Sequence, residues 1–347
     1  MTEKMKDYVF MDALKEELIT KRGNTETTAR MTVSTLRALN DGKPFTSLVF
    51  LRDTDAVLKK LDTYAETTRR TVLGKIVAVL EMKDSRSFTK LLAFYRSLFT
   101  DTRAAVDESL NARGTSKTPK EVASWMTWEE ILKRHDELAV RSNEIYKKKT
   151  PRTLAEYETL QSFMILSLYV LIPPRRNKDF HQMYVVRKTM PDDKTRNYFV
   201  YEERKFYFNT YKTYKTYDTQ VIDVPVRLAN IIWNFIKETS CWNRSRGRAV
   251  QMPLVCSYDG APYEAINAMT RLLNKAMGKN VSCNLIRHAY VSHLYSDAIA
   301  DIDKTAAAMA HSVTTHLSYY RKPAGGAGDS SSESSDSDSD VDVIKHV

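Results

Sequence analysis

Residues 153–180 read TLAEYETLQSFMILSLYVLIPPRRNKDF, and this stretch decides how the second half of the chain is interpreted. Thr153 and Glu156 have the spacing of a capping box, which marks the start of a helix. Two consecutive prolines, Pro173 and Pro174, stop helical continuation. Between them apolar residues recur at helical spacing: Leu154, Tyr157, Leu160, Met164, Leu168 and Leu171. The sequence therefore predicts a helix, with Arg175 and Arg176 lying just beyond its C-terminal end.

The region before this helix is predicted to be entirely helical. Residues 26–146 form successive amphipathic patterns, and residues 71–82 are an example, with Val72, Leu73, Ile76, Val77 and Leu80 at helical spacing. Residues 147–152 are basic and contain a proline, which is typical of a linker. We expect an α-helical domain over residues 1–146, a linker over 147–152 and a second domain over 153–323.

Strand-forming residues are concentrated in the middle of the second domain. Residues 198–211 and 220–224 are rich in β-branched and aromatic side chains, and the polar residues 212–219 separate them. This pattern predicts a β-hairpin, and helical patterns resume after Pro225. The expected fold class is mainly α with a small β-hairpin or sheet, an α-helical domain being followed by an α+β domain.

The charge and cysteine content restrict the function classes. Lys and Arg number 53 against 43 Asp and Glu, and six of these acids lie in residues 324–347, so the preceding region is strongly basic. Such an excess favours a polyanionic partner, and nucleic acid is the commonest one. Three cysteines without a CxxC pair predict neither a disulfide framework nor a zinc site. No apolar run is long enough to span a bilayer, and the polar N-terminus predicts a soluble chain that is not secreted.

Residues 324–347 form an acidic tail rich in Ser and Asp, which predicts disorder. Val341, Val343 and Ile344 follow the acidic run and resemble a motif that binds the small ubiquitin-like modifier by strand addition. The serines suit an acidophilic kinase. Contact with such a modifier or kinase through residues 329–347, docking onto a neighbouring subunit and a purely solubilising tail all stay open.

Residues that suit phosphoryl transfer are concentrated near the end of the basic region. Guanidinium groups bind both non-bridging oxygens of a phosphodiester and stabilise the charge that develops in the transition state. A tyrosine among cations can attack phosphorus, and lysine or histidine can protonate the departing oxygen without a metal. Besides Arg175 and Arg176, the chain offers Arg287, His288, His293, His311, His316, Tyr319 and Tyr320.

Four ordered motifs resemble one family. They are LIPPRRNKDF at 171–180, FYFNTYKTYKTYDTQVIDVP at 206–225, NLIRHAYVSHL at 284–294 and MAHSVTTHLSYYRK at 309–322. Together, over about residues 154–322, they resemble the catalytic domain of the tyrosine recombinases, or phage-type integrases. This resemblance implies a recombinase catalytic domain over 153–323 and a DNA-binding domain, similar to a core-binding domain, over 1–146.

The resemblance also implies a role for each arginine of the site. Arg176 and Arg287 match the two family arginines that hold the non-bridging phosphate oxygens. Asp179 lies three residues after Arg176, where the family has an acid, and is expected to orient that arginine. Arg175 is expected to support its neighbour.

The remaining catalytic positions follow the same order. Lys212 matches the hairpin lysine that acts as general acid, and Lys215 is the alternative. Tyr320 follows His311 by nine residues, as the nucleophile does in the family, whereas Tyr319 misses by one. His311 is expected to assist proton transfer. His288 is expected to support Arg287. Asn284 stands where the family has histidine, and since asparagine cannot exchange a proton at neutral pH, we expect it only to position the phosphate.

The function implied is DNA cleavage and rejoining through a 3′-phosphotyrosyl link, without metal or cofactor. The implied partners are double-stranded DNA and further copies of the chain, in a tetramer on DNA. The tail favours the nucleus or another DNA-containing compartment of a eukaryotic host cell, in a virus or mobile element. A type IB topoisomerase or telomere resolvase is an alternative, and a DNA-binding protein of the same fold without catalysis is another.

Overall fold

The computed structural model describes residues 3–83, 86–114, 116–244, 251–265 and 267–319. The described residues are mainly helical with a small mixed sheet, which confirms the expected fold class at that level. The chain divides into two compact units between Ser116 and Lys117. Each unit has its own apolar core.

The first unit is helical throughout its described residues. Its apolar core includes Leu14, Leu36 and Leu73, all fully buried. The residues predicted for the helix over 71–82 are all buried, which confirms that its apolar stripe faces the core. The helices are α1 (Glu3–Arg22), α2 (Glu26–Leu39), α3 (Thr54–Leu61), α4 (Glu66–Lys83) and α5 (Thr89–Arg113), with 3-10 turns at Val49–Arg52 and Arg86–Phe88.

The second unit is built around one central helix. The capping box between Thr153 and Glu156 is present, and it confirms the predicted start of that helix, α8. Apolar residues cover all sides of α8, as is typical of a helix in the middle of a core. The helices are α6 (Pro119–Ser124), α7 (Trp128–Lys147), α8 (Leu154–Val170), α9 (Asn177–His181), α10 (Tyr214–Tyr217), α11 (Val226–Lys237), α12 (Ser240–Arg244), α13 (Ala268–Met277), α14 (Cys283–Ala308) and α15 (Val313–Ser318).

Five strands form one mixed sheet in the described part of this unit: β1 (Tyr184–Val186), β2 (Tyr198–Val200), β3 (Lys205–Phe208), β4 (Gln220–Asp223) and β5 (Gln251–Pro253). The order is β4-β3-β2-β1-β5, and only the β1–β2 pair is parallel. The antiparallel pairing of β3 with β4 confirms the predicted hairpin. The first predicted strand is divided into β2 and β3 by a turn, and β5 contradicts the expectation of helices alone after Pro225.

The division between units differs from the predicted one. Residues 147–152 lie inside the second unit, because α7 packs against α8 and buries Trp128, Ile131 and Leu138. Arg152 donates from Nη1 to the carbonyl oxygens of Ile145 and Lys148, at 2.7 and 2.9 Å. This basic segment is therefore a tight turn between two packed helices and not a linker between domains.

Candidate active site

A pocket of about 330 Å³ lies where α8 ends. Pro173 and Pro174 stop the chain from continuing as a helix, and Arg176 becomes the N-cap residue of α9. The pocket is lined by Arg175, Arg176, Asp179, Gln220 and Arg287, among other residues. We call it the arginine pocket. Four of the predicted site residues, Arg175, Arg176, Asp179 and Arg287, thus line one pocket, although Arg287 is distant from the other three in sequence.

Arg175 is held by the surrounding side chains. Its Nε donates to Asp179 Oδ2 at 2.8 Å, and its Nη1 donates to Gln220 Oε1 at 2.9 Å. The guanidinium carbon lies 3.8 Å from the centre of the Phe208 ring, which is close enough for a cation–π contact. The acid predicted to orient Arg176 therefore pairs with Arg175 instead. The reason is that Phe208 on β3 and Gln220 on β4 draw Arg175, and not Arg176, against the sheet.

Arg176 and Arg287 are the cations that a ligand would meet. Both are half-buried and line the pocket. Among the described residues, neither forms an ion pair or a side-chain hydrogen bond. Because guanidinium groups bind phosphate oxygens with two parallel hydrogen bonds, this pair suits one phosphodiester.

The Asp179 carboxyl group lies among the three arginines that line the pocket. Its carboxyl group is buried, and burial raises its pKa, while Arg175, Arg176 and Arg287 all act in the opposite direction. Within the described part of the chain, its Oδ1 atom is buried without a hydrogen-bond partner. Three guanidinium groups thus face one carboxyl group, and the pocket keeps an excess of positive charge that favours an anion.

The hairpin connection forms another side of the pocket. Tyr211 and Thr213 line it on either side of Lys212 in the sequence, and Lys212 itself is exposed. Lys215 lies in α10, and its side chain falls outside the described part. Tyr217, 63% exposed, also lines the pocket. The sequence indicated this segment only as alternating tyrosine and lysine, and it gave no signal that Gln220 would hold Arg175.

Helix α14 contributes Arg287 alone to the pocket among its predicted residues. Ser282 caps the helix by accepting a hydrogen bond from the Leu285 backbone at 3.1 Å. Asn284 and His288 are exposed and do not line the pocket. Their supporting roles stay predictions.

The predicted residues at the far end of α14 form a separate cluster. The His311 Nε2 and His316 Nδ1 atoms are 3.2 Å apart, and the His311 and Tyr319 ring centres are 5.5 Å apart. His311 follows the end of α14, whereas Arg287 is in its second turn. At 1.5 Å per residue, about 30 Å of helix separates them. The structure therefore does not bring His311 to the arginine pocket of the same chain. Tyr320 and the acidic tail lie outside the described residues.

No family model, curated protein or solved structure matches this chain. The described part contains no group of three or more His, Cys, Asp or Glu that could hold a metal ion. Its helices include none that combines the length and apolar character needed to cross a membrane.

Proposed function

We propose that this chain cleaves and rejoins DNA strands through a phosphotyrosyl intermediate, as a tyrosine recombinase does. The observation that carries the proposal is the arginine pocket, where Arg176 and Arg287 present two guanidinium groups beside a buried carboxyl group. Two such forks match the two non-bridging oxygens of one phosphodiester. They also stabilise the additional negative charge of a five-coordinate transition state.

The proposed reaction balances without an added cofactor. The Tyr320 phenol oxygen attacks phosphorus and its proton passes to His311, while the bond from phosphorus to the 5′ oxygen breaks. Lys212, or Lys215 in its place, protonates that departing oxygen. The products are a 3′-phosphotyrosyl bond and a free 5′-hydroxyl. A 5′-hydroxyl from another strand reverses the step, so that cleavage becomes strand exchange.

Arg175 and Asp179 serve the reaction indirectly. Arg175 is held between Asp179, Gln220 and the Phe208 ring, so it stiffens the turn that presents Arg176. The Asp179 carboxyl group lowers the repulsion among the three arginines when no phosphate is bound. A bound phosphate then supplies further negative charge that offsets the repulsion among the arginines.

Trapping the covalent intermediate tests the proposal. Duplexes are first enriched from a random library by binding to the Tyr320→Phe variant. They are then nicked at successive positions, so that cleavage near a nick releases a short fragment with the 5′-hydroxyl. Loss of this fragment by diffusion prevents rejoining. Wild type, Tyr320→Phe and the matched control Tyr319→Phe are incubated with them and separated by denaturing electrophoresis. We expect a protein–DNA adduct with wild type and Tyr319→Phe, and none with Tyr320→Phe.

The other outcomes identify the alternatives. An adduct that survives Tyr320→Phe but not Tyr319→Phe would move the nucleophile by one residue. Relaxation of supercoiled plasmid without any strand exchange would favour a type IB topoisomerase. Tight binding without an adduct in any sample would contradict catalysis and leave a DNA-binding protein.

A further inference from the structure

The arginine pocket is larger and more apolar than a phosphate group alone requires. Its volume of about 330 Å³ is in the range of sites that enclose a whole small organic ligand. A phosphate group is a single phosphorus with its oxygens, and the Arg176 and Arg287 guanidinium groups suffice to bind it. Half of the lining residues are apolar or aromatic: Ile172, Pro173, Pro174, Tyr211, Tyr217 and Ile222. A ligand that matches this lining therefore combines a phosphate with an apolar group.

Two tyrosines of the lining differ in what their rings contact. Tyr211 is buried, its ring centre lies 6.1 Å from that of Tyr214, and its hydroxyl donates to the Asp218 carbonyl oxygen at 2.7 Å. Tyr217 is 63% exposed, and its side chain has no hydrogen-bond or ring partner among the described residues. Tyr211 is thus part of the wall of the pocket, whereas Tyr217 presents a ring that a ligand can cover.

The backbone that carries Tyr217 is fixed by hydrogen bonds. The Tyr217 N–H donates to the Thr213 carbonyl oxygen at 3.2 Å, and the Asp218 N–H donates to that of Tyr214 at 2.8 Å. Asp218 has a positive φ of 52°, which residues other than glycine rarely adopt. Such a conformation persists where surrounding contacts hold it, and it is common at binding sites. The Tyr217 ring is therefore presented on an ordered support, so a ligand that covers it loses little entropy in ordering the chain.

A nucleotide of DNA has both of the groups that the pocket suits. The flat group joined through the sugar to each phosphate is a base, and a tyrosine ring can stack on any base because every base has a π-face. In an intact duplex the neighbouring bases cover both faces. A base can therefore stack on Tyr217 only after it has left the duplex, as happens in enzymes that turn a base out of the stack.

We propose that the arginine pocket takes up one whole nucleotide of the bound DNA. Arg176 and Arg287 hold its phosphate, and its base lies outside the duplex and stacks on the Tyr217 ring. This inference rests on the proposed function, to which it adds a base-binding site and a residue that determines specificity. Pyrimidine–purine steps unstack most easily, so the site favours DNA with such a step at the bound phosphate.

A scan with abasic nucleotides tests the proposal through binding, independently of cleavage. One enriched duplex is labelled with a fluorophore, and a single base is removed at each position in turn. The dissociation constants of wild type and Tyr217→Ala are measured on each duplex by fluorescence anisotropy. On the intact duplex we expect Tyr217→Ala to bind roughly tenfold more weakly, which corresponds to about 1.4 kcal/mol. At one position, removing the base should abolish this difference, because no base is left to stack on the ring.

Two further variants identify the ring as the cause. Tyr217→Phe keeps an aromatic ring and should bind every duplex as wild type does. Tyr295→Ala is the matched control, since Tyr295 is 50% exposed in the same unit and does not line the pocket. It should also bind as wild type does. Because the Tyr217 ring is exposed, Tyr217→Ala should unfold in urea at the same concentration as wild type.

The outcomes separate this inference from the proposed function. Equal affinities of wild type and Tyr217→Ala for the intact duplex would overturn the inference. So would a difference between them that persists at every abasic position. If wild type forms the covalent adduct in either of these cases, the proposed function stands and only the base-binding site fails. A difference that vanishes at one position, without an adduct, would support the base-binding site and contradict DNA cleavage.

Discussion

The two ends of α14 differ in packing, in exposure and in the side chains that they present. The anchored half, residues 283–293, is packed into the core of the second unit and presents Arg287 to a pocket with two further arginines. The arm, residues 294–308, is largely solvent-exposed and leads to the His311, His316 and Tyr319 rings. One end holds the arginines that we propose bind phosphate, whereas the other leads to the histidine that we propose assists proton transfer.

In one chain, the arginine pocket is therefore separate from the tip, by which we mean residues 309–319. Arg176 and Arg287 meet because α8, α9 and α14 share a core. The tip has no comparable packing in the described residues, and a long uninterrupted helix fixes its distance from the pocket.

The largest expected effect is at the pocket end. Replacing Arg287 with alanine should lower the rate of adduct formation by roughly 100- to 1000-fold, because one guanidinium no longer stabilises the transition state. Arg287→Lys should recover only part of the rate, since an ammonium group cannot form the two parallel hydrogen bonds. Single-turnover kinetics with the nicked duplexes measures both. Equal rates for Arg287→Ala and wild type would remove the arginine pocket from the reaction.

The next effect concerns the continuity of the arm. A proline in a helix interior costs about 3 kcal/mol, so Ala300→Pro should lower the population of chains with a continuous arm by roughly a hundredfold. Ala300→Ser is the matched control and should keep the arm continuous. Spin-label distances between positions 288 and 309 distinguish the two variants. A proline variant with the same distance distribution as Ala300→Ser would contradict a continuous helix through this position.

A stability comparison separates the anchored half from the arm. Ile286 is fully buried, and Ile286→Ala should lower the free energy of unfolding by at least about 2 kcal/mol. Leu294 is half exposed, and Leu294→Ala should change it by no more than about 0.5 kcal/mol. Urea denaturation measures both. Similar losses for the two variants would mean that the arm is packed in the free chain.

The smallest expected effect is a pH dependence from Asp179. Burial raises its pKa above the ordinary value of 3.8, so the folded chain binds this proton more tightly than the unfolded chain. The stability linked to that proton is fully present below pH 3.8 and is lost as pH rises through the folded pKa. Relative to Asp179→Asn, wild type should therefore lose stability as the pH rises above 3.8. Parallel pH profiles from urea titrations would contradict this.

Local signals in the sequence predicted much of the fold and of the pocket. The capping box at Thr153 and the prolines at 173 and 174 fixed both ends of α8, and their spacing depends only on neighbouring residues. The hairpin followed from β-branched and aromatic side chains. These features also placed Arg176 and Asp179 near each other. Each depends on interactions within a few residues along the chain.

Features set by tertiary packing could not be predicted in this way. Lysines and a proline at 147–152 are typical of a linker, but α7 and α8 bury their apolar faces against each other, and the turn between them is short. Asp179 pairs with Arg175 because Gln220 and Phe208, both from later strands, hold that side chain. The length of α14 could not be predicted either, because its helical pattern does not show where the helix stops packing against the rest of the unit.

A distance measurement along α14 tests the central claim most directly. Spin labels at His288→Cys and Met309→Cys, in a chain whose native cysteines are replaced by alanine, report the separation of the anchored half from the tip in the free protein. Twenty-one residues of continuous helix predict a backbone separation of about 32 Å by double electron–electron resonance. A dominant distance below about 20 Å, where the arm would have folded back, would contradict both the straight α14 and the separation of the tip from the arginine pocket.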